Sequence, residues 1–291
     1  MNRDAKNILL ISICVFMVIC GITAILLWGE NTPMKKMYLS EVQTELNKSI
    51  VSHEVFKEED IATLPAPVQR YFRYCGYIGK EKVANAKLVW DDVNFKMSPD
   101  KPWVKIKYEQ YNFVSEPARL AYIYSTKFSI VPFEGRDKYL NGQGNMLGKL
   151  LKKVTLFDVK GAEINVSAAV TYLSESLVVP ACALQPYIRW EAIDPNHAKA
   201  SFEYEGVKAE GIFTFDDKGE LTKFETDERY MDNGKGTSEK HKWTVEASNY
   251  IEKGGIKLPS RLKATWNLPD GDYEYFNGTL KDIVYNSTKN N

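Results

Sequence analysis

The chain has 291 residues, 44% of them hydrophobic and 12% aromatic, with 38 Lys+Arg balanced by 38 Asp+Glu. The neutral balance excludes the basic excess that nucleic-acid binding needs, and the apolar content excludes a disordered charged tail. Four Cys are too few for a disulfide-stapled scaffold, and three His argue against a His-built metal centre.

The apolar residues are unevenly spread. From Ile8 to Trp28 no charge occurs, and Ser12, Gly21 and Thr23 are the few breaks in the apolar run. As a helix this run would span about 31 Å, the thickness of a bilayer core. Trp28 at its end suits the headgroup level. The run is longer than a signal-peptide core, and no small-residue cleavage site follows it. Ile13 and Ile19 stand before Cys14 and Cys20, where a lipoprotein signal requires a small residue. Residues 1–7 are expected as a short inner tail, 8–28 as a transmembrane anchor, 29–60 as a juxtamembrane helix and connection, and 61–291 as an extracytoplasmic β-rich domain. Arg3 and Lys6 before the span face Lys35 and Lys36 after it, so the positive-inside bias is small.

Thr32-Pro33 reads as a helix cap followed by proline in the first turn. Met34, Tyr38, Val42, Leu46 and Ile50 then recur every fourth residue, predicting a helix to about Val51 whose stripe docks or dimerises. Leu64 to Gly76 (LPAPVQRYFRYCG) predicts a second helix, with Val68, Tyr71, Phe72 and Cys75 on its apolar face and Gly76 as its end.

From Lys87 the pattern becomes that of strands. Val104, Ile106 and Tyr108 alternate with Lys105, Lys107 and Glu109. Similar segments are Leu88–Trp90, Leu120–Tyr124, Phe128–Phe133, Arg136–Leu140, Ala198–Tyr204, Trp243–Ala247, Leu262–Trp266 and Asp272–Tyr285. Gly211 to Phe224 predicts a hairpin turning at Asp216-Asp217-Lys218-Gly219. Asp91-Asp92 interrupts a strand and suggests a bulge or an edge. Two helices are expected among the strands. One runs from Asn145 to Lys153, with Lys149, Lys152 and Lys153 on its basic face as candidate membrane contacts beside Trp28. The other runs from Asn165, its candidate cap, to Val179 before Pro180. The fold class is therefore mainly β (α+β): a strongly curved antiparallel sheet or half-barrel with a few packed helices.

No phosphate loop, nucleophile elbow, dinucleotide fingerprint or zinc spacing occurs, so no cofactor and no metal are expected. Gly142-Gln143-Gly144 reads as a loop entering the Asn145 helix. His53, His197 and His241 read as surface residues. The aromatic strands carry the sharper signal. Trp90, Tyr108, Trp190 and Trp243, with Arg136 and Arg229, are the candidate ligand-binding residues, because Trp and Tyr suit the concave wall of an apolar pocket. A competing expectation sends the charges Arg136-Asp137 and Glu225/Arg229 to solvent. Cys75 and Cys182 are either buried thiols or one disulfide.

Leu64-Pro-Ala-Pro-Val-Gln-Arg-Tyr-Phe-Arg-Tyr74, Tyr172 to Leu184, Trp190, Arg229, Trp243, Leu258-Pro259 and Trp266 together resemble an uncharacterised bacterial family of membrane-anchored proteins, a domain of unknown function. The resemblance covers about Ile61 to Tyr285 and implies no activity. Its strand pattern is similar to the curved sheets of periplasmic lipoprotein carriers, a likeness of fold. The leading functional expectation is a membrane protein, with its C-terminal domain extracytoplasmic, that binds a lipid or other apolar molecule. The alternatives are a cell-envelope protein-interaction module and a hydrolase using Asp91, Asp137 or Glu175.

Overall fold

The computed structural model describes residues 32–128, 131–232 and 237–290, together with Ile13, Val15 and Met17 in the N-terminal segment. The anchor expected at 8–28, including Trp28, falls outside the described residues apart from those three. Among the described residues no helix is long and apolar enough to cross a membrane.

Thirteen strands form one antiparallel sheet: β1 (Asn85–Phe95), β2 (Val104–Phe113), β3 (Ala118–Phe128), β4 (Val131–Leu140), β5 (Gln143–Leu150), β6 (Val154–Lys160), β7 (Ile188–Asp194), β8 (His197–Tyr204), β9 (Val207–Phe215), β10 (Leu221–Asp232), β11 (Ser238–Lys253), β12 (Ile256–Leu268) and β13 (Gly271–Tyr285). Their spatial order is β6-β5-β4-β3-β2-β1-β13-β12-β11-β10-β9-β8-β7. The first and last strands thus pair at the centre, and the two open edges, β6 and β7, are consecutive in the chain. The segment joining those edges passes through the inside of the sheet. It contains α4 (Ala162–Ser174) and a 3-10 turn, Pro180–Leu184.

The sheet is strongly curled, because α4 packs at once against β5 on one arm and β9 and β10 on the other. The arms also meet directly. The Tyr139 ring on β4 lies 5.9 Å from Phe202 on β8. At the β4–β5 turn, a Cβ on Gly142 would stand 2.6 Å from the Cβ of Glu205, in the β8–β9 turn. Only a glycine permits that approach, and its φ of 71° adds a second reason.

Helix α1 (Pro33–Lys48) starts as the sequence predicts, with Thr32 Oγ1 accepting from Lys35 N at 3.1 Å. Its stripe docks on the convex face of the chain's own sheet. Met34, Tyr38, Val42 and Leu46 pack with Tyr111, Phe113, Leu120 and Tyr122 in a separate core. Ile50 lies beyond the helix end and is exposed. A short helix, α2 (Glu58–Ile61), leads to α3 (Ala66–Cys75), which ends on left-handed Gly76. Val68, Tyr71, Phe72 and Cys75 are buried in the main core, as their spacing predicts.

The hairpin of β9 and β10 turns at Asp216–Gly219 as expected, Asp216 Oδ1 accepting from the backbone of Lys218, Gly219 and Glu220. Asp91-Asp92 is the expected bulge: the β1 register shifts there against both neighbours, and Asp92 has φ 47°. Phe128–Phe133, expected as one strand, instead spans the end of β3 and the start of β4.

The basic helix expected at Asn145–Lys153 is wrong. Residues 143–150 form strand β5, held between β4 and β6, and Leu151–Lys153 form the turn. The helical spacing of Met146, Leu147, Leu150 and Leu151 misled because both faces of β5 are covered, so apolar residues fall on both parities. Lys152, expected to touch membrane, is buried, Lys149 is half-buried, and Lys153 alone of the three is exposed. The next helix runs from Ala162 to Ser174 rather than from Asn165 to Val179, and its cap is Gly161. Asn165 instead accepts from Gly144 N at 2.8 Å, fastening α4 to β5. A Cβ on Gly144 would lie 2.4 Å from the Ile164 carbonyl oxygen, so this helix–strand approach also requires glycine.

Candidate functional site

Strand alternation decides what enters the curl. On β2, Tyr108, Gln110 and Asn112 share one face; on β3, Arg119, Ala121 and Ile123 do; on β4, Asp137 does. On the opposite arm Phe224, Trp243, Ala247 and Ala264 point inward. Between them and α4 lies an inner chamber of about 150 Å³, walled chiefly by Trp90, Phe224, Trp243, Val245, Leu262 and Phe276. An outer chamber of about 350 Å³ continues from it along Met146, Phe133, Phe157 and Trp266. Phe95, Ile123, Asp137, Met146, Arg229 and Tyr275 border both. The outer chamber reaches Met97, Asp232, Ser238 and Tyr273, at one end of β1, β10, β11 and β13.

One wall of the inner chamber is polar. Arg119, 5% exposed, donates from Nε to both Glu175 oxygens at 3.1 and 3.0 Å, and from Nη1 to Asp137 Oδ2 at 2.9 Å. Its Nη2 donates to the Tyr108 hydroxyl and to Gln110 Oε1. Glu175 Oε2 also accepts from Gln110 Nε2 at 2.8 Å and Asn112 Nδ2 at 2.7 Å. Trp90 Nε1 completes the set by donating to Gln110 Oε1 at 3.3 Å. Burial alone would lower the Arg119 pKa, but Glu175, Tyr108 and Asp137 outweigh it and hold the guanidinium more firmly charged than usual. Glu175 directly follows α4, so this cluster pins the C-terminal end of the helix to β2, β3 and β4.

Arg229 is placed differently. It follows a bulge in β10, where the register with β11 shifts between Thr226 and Arg229. Its guanidinium carbon lies 4.3 Å from the Trp243 ring centre and 5.5 Å from that of Trp266. Nη1 donates to the Ser167 carbonyl at 3.1 Å and to Thr171 Oγ1, both on α4.

Of the six residues expected to bind a ligand, Trp90, Tyr108, Arg229 and Trp243 meet at the inner chamber. Trp190 does not. It donates from Nε1 to the Ala183 carbonyl at 2.9 Å and packs on Phe213 at 5.1 Å, supporting the 3-10 turn. The side chain of Arg136 points away from that of Asp137, toward α1, where Glu41 accepts from Nη1 at 2.7 and 2.8 Å. The expectation that Arg136 and Asp137 face solvent is also corrected: Arg136 is 6% exposed under α1, and Asp137 is held by Arg119. Asp91 is exposed in a shallow groove beside α1. Glu175, Arg119, Gln110 and Asn112 were not among the expected site residues. Gln110 and Asn112 could have been found, because they continue the buried parity of Ile106 and Tyr108.

Cys75 and Cys182 are free and buried. The Cys182 sulfur sits 3.1 Å from the Tyr172 hydroxyl, which also contacts the Tyr187 hydroxyl at 2.8 Å and donates to the Phe113 carbonyl at 2.8 Å. Burial pushes both thiols up to about 12. Among the described residues no group of three His, Cys, Asp or Glu side chains is placed to hold a metal ion.

Residues 54–278 match a family of unknown function (DUF6544), and the chain belongs to that family. No curated protein matches the chain. Among solved structures it is similar to a LolA superfamily protein from Nitrosomonas europaea, at 11% identity and a TM-score of 0.41, over 77% of this chain and 94% of that one.

Proposed function

We propose that the curled sheet is a receptacle for a lipid or another apolar molecule, carried by a protein anchored in the cell membrane with its β-rich body outside the cytoplasm. The observation that carries this reading is the pair of joined chambers. Their volumes, about 150 and 350 Å³, fall within the usual range for ligand sites when taken together, and their walls are aromatic and aliphatic with a few fixed polar groups. A core meant only for stability would close such space, because each unfilled volume costs packing energy. The charge cluster fits the same role. Each carboxylate there is already engaged by Arg119, so the cluster supplies a rigid polar wall.

The test uses a photoactivatable fatty-acid analogue with the full chain held in amphipol. Labelled peptides should map to chamber residues such as Met146, Phe224 or Val178, and unlabelled lipid should compete. Labelling confined to the convex surface, or labelling that no lipid displaces, would remove the reading. A second reading is a protein-interaction module using the open edges, favoured by exposed Val154 and Leu156 on β6 and Ile193 on β7. A stoichiometric protein cross-linked to those strands in cells would favour it.

A further inference from the structure

We infer that the ligand carries an anionic head, a carboxylate in the simplest case, and that Arg229 receives it where the two chambers join. This rests on the receptacle reading and names the ligand class for the same cavity.

Three arginines border the chambers, and they differ in what satisfies them: Arg136, at the outer chamber, is turned to α1 and paired with Glu41. Arg119 has two carboxylates, and those carboxylates have two amide donors besides. Its charge is spent inside the protein. Arg229 has none: among the described residues no salt bridge includes it. Its neighbours are a carbonyl, a hydroxyl and two indole faces. Its Nε is buried with no hydrogen-bond partner. Arg70 and Arg136 also have a buried Nε without a partner, so what sets Arg229 apart is an unpaired charge at the wall of both chambers, a place where a group arriving from outside can neutralise it. The guanidinium fork suits a carboxylate, whose two oxygens can accept from two of its donors at once.

The surroundings fit an amphiphile. Trp243 and Trp266 hold the guanidinium by their faces, and Ser167 and Thr171 fix one of its nitrogens, so the cation is set before any ligand arrives. Apolar walls lie on both sides of it: Phe224 and Val245 inward, Phe133 and Phe157 outward. A head at Arg229 therefore leaves the tail in apolar surroundings. A cationic head would be repelled, and a neutral alcohol would lack the charge-assisted bonds.

The experiment compares palmitate, hexadecanol and hexadecylamine as competitors of the photoactivatable probe on the full chain. Palmitate should compete about tenfold to a hundredfold better than hexadecanol, the ratio that bonds to a charged partner supply. In Arg229→Gln the ratio of palmitate to hexadecanol competition should fall to about one. Equal competition by acid and alcohol in the wild type would overturn the anionic head and leave the receptacle standing. No competition by any of the three would overturn both. If Arg229→Gln fails to fold, the wild-type series still decides the head, and Arg229→Lys tests the residue. Lysine keeps the charge but not the fork, so acid preference should weaken without disappearing. Full palmitate preference in a folded Arg229→Gln protein would refute the role of Arg229.

Discussion

The buried charge cluster makes the sharpest demand on stability. Glu175 accepts four hydrogen bonds from three residues, and its side chain is 12% exposed. Glu175→Gln keeps the shape and removes the charge. A glutamine can place its carbonyl oxygen where Oε2 stands and still accept from Gln110 and Asn112. Its amide nitrogen then falls at Oε1, 3.1 Å from Arg119 Nε, so donor faces donor. Arg119 is left with Asp137 as its one carboxylate. Breaking one partner of a buried pair costs about 3–5 kcal/mol, and the surviving Asp137 bond puts this case near the lower end, about 3 kcal/mol. With a urea slope of about 3 kcal/mol per molar for a domain of this size, the midpoint should fall by about 1 M.

Partner removal also differs from removing the whole network. Replacing Arg119 by Met, Glu175 by Leu and Asp137 by Leu together removes the desolvation cost of all three charges along with their attraction, so the triple variant should be more stable than Glu175→Gln alone. A Glu175→Gln loss below about 0.5 kcal/mol, the scale of a surface pair, would refute the claim that the cluster is a buried, mutually dependent unit.

The thiols predict an alkaline limb. With Cys75 and Cys182 pushed up to about 12, the folded chain keeps protons that the unfolded chain releases from about pH 8.5. Stability is therefore fully present below that pH and falls as pH rises toward 12. Cys75→Ala and Cys182→Ala should each flatten the fall in urea midpoint measured across that window, and thiol reagents should label neither residue at neutral pH until the protein unfolds. Tyr38 is fully buried and stacked on Tyr122 at 5.6 Å, so Tyr38→Ala should cost about 3 kcal/mol by the scale of large-to-small aromatic changes. Because α1 lies on the convex face, fatty-acid labelling of the chambers should be unchanged in that variant.

The parts of the fold that could be read from the sequence are those where one local pattern has one interpretation. The cap at Thr32, the four-residue stripe of α1, the turn at Asp216–Gly219 and the bulge at Asp91-Asp92 are each set by a few neighbouring residues. Strand β5 is the opposite case. Met146, Leu147 and Leu150 are apolar because this strand is covered on both faces, by α4 within and by core outside, and that coverage comes from residues far along the chain. The site divides in the same way. Trp90, Tyr108, Trp243 and Arg229 could be found as aromatics and a charge in strand texture. Arg136 has the same sequence appearance as Arg229, and the single step in parity between Arg136 and Asp137 sends it to the convex face. Glu175 was legible as a carboxylate near a helix end, but its partners lie 56 to 65 residues away, and nothing local announces them.

The direction of α1 ties the cavity to the membrane reading. Lys35, near its start, lies over the Tyr122 ring at 5.7 Å, while Lys48, at its end, pairs with Glu116 just before β3 at 3.6 Å. Helix α1 thus runs against β3, and Thr32 lies toward the end of the sheet where Ile123, Phe133 and Met97 border the outer chamber. Gly29, Glu30 and Asn31 are all that separate Trp28 from Thr32. Extended, that link reaches at most about 14 Å. If the expected span occupies a bilayer, the open end of the cavity is held close above the headgroups, and Lys96, Met97 and Trp103 of the β1–β2 connection stand beside it. Met97 and Trp103 are 39% and 42% exposed, so both are free to meet a bilayer at that end. The opposite end of β11 carries exposed Glu252, which the same geometry turns away from the membrane. A fluorophore at Met97→Cys in the reconstituted full chain should therefore be quenched by brominated lipid, and one at Glu252→Cys should not. Equal quenching at both positions, or stronger quenching at Glu252, would show that the cavity does not open toward the bilayer and that a lipid could not pass between them without release into water.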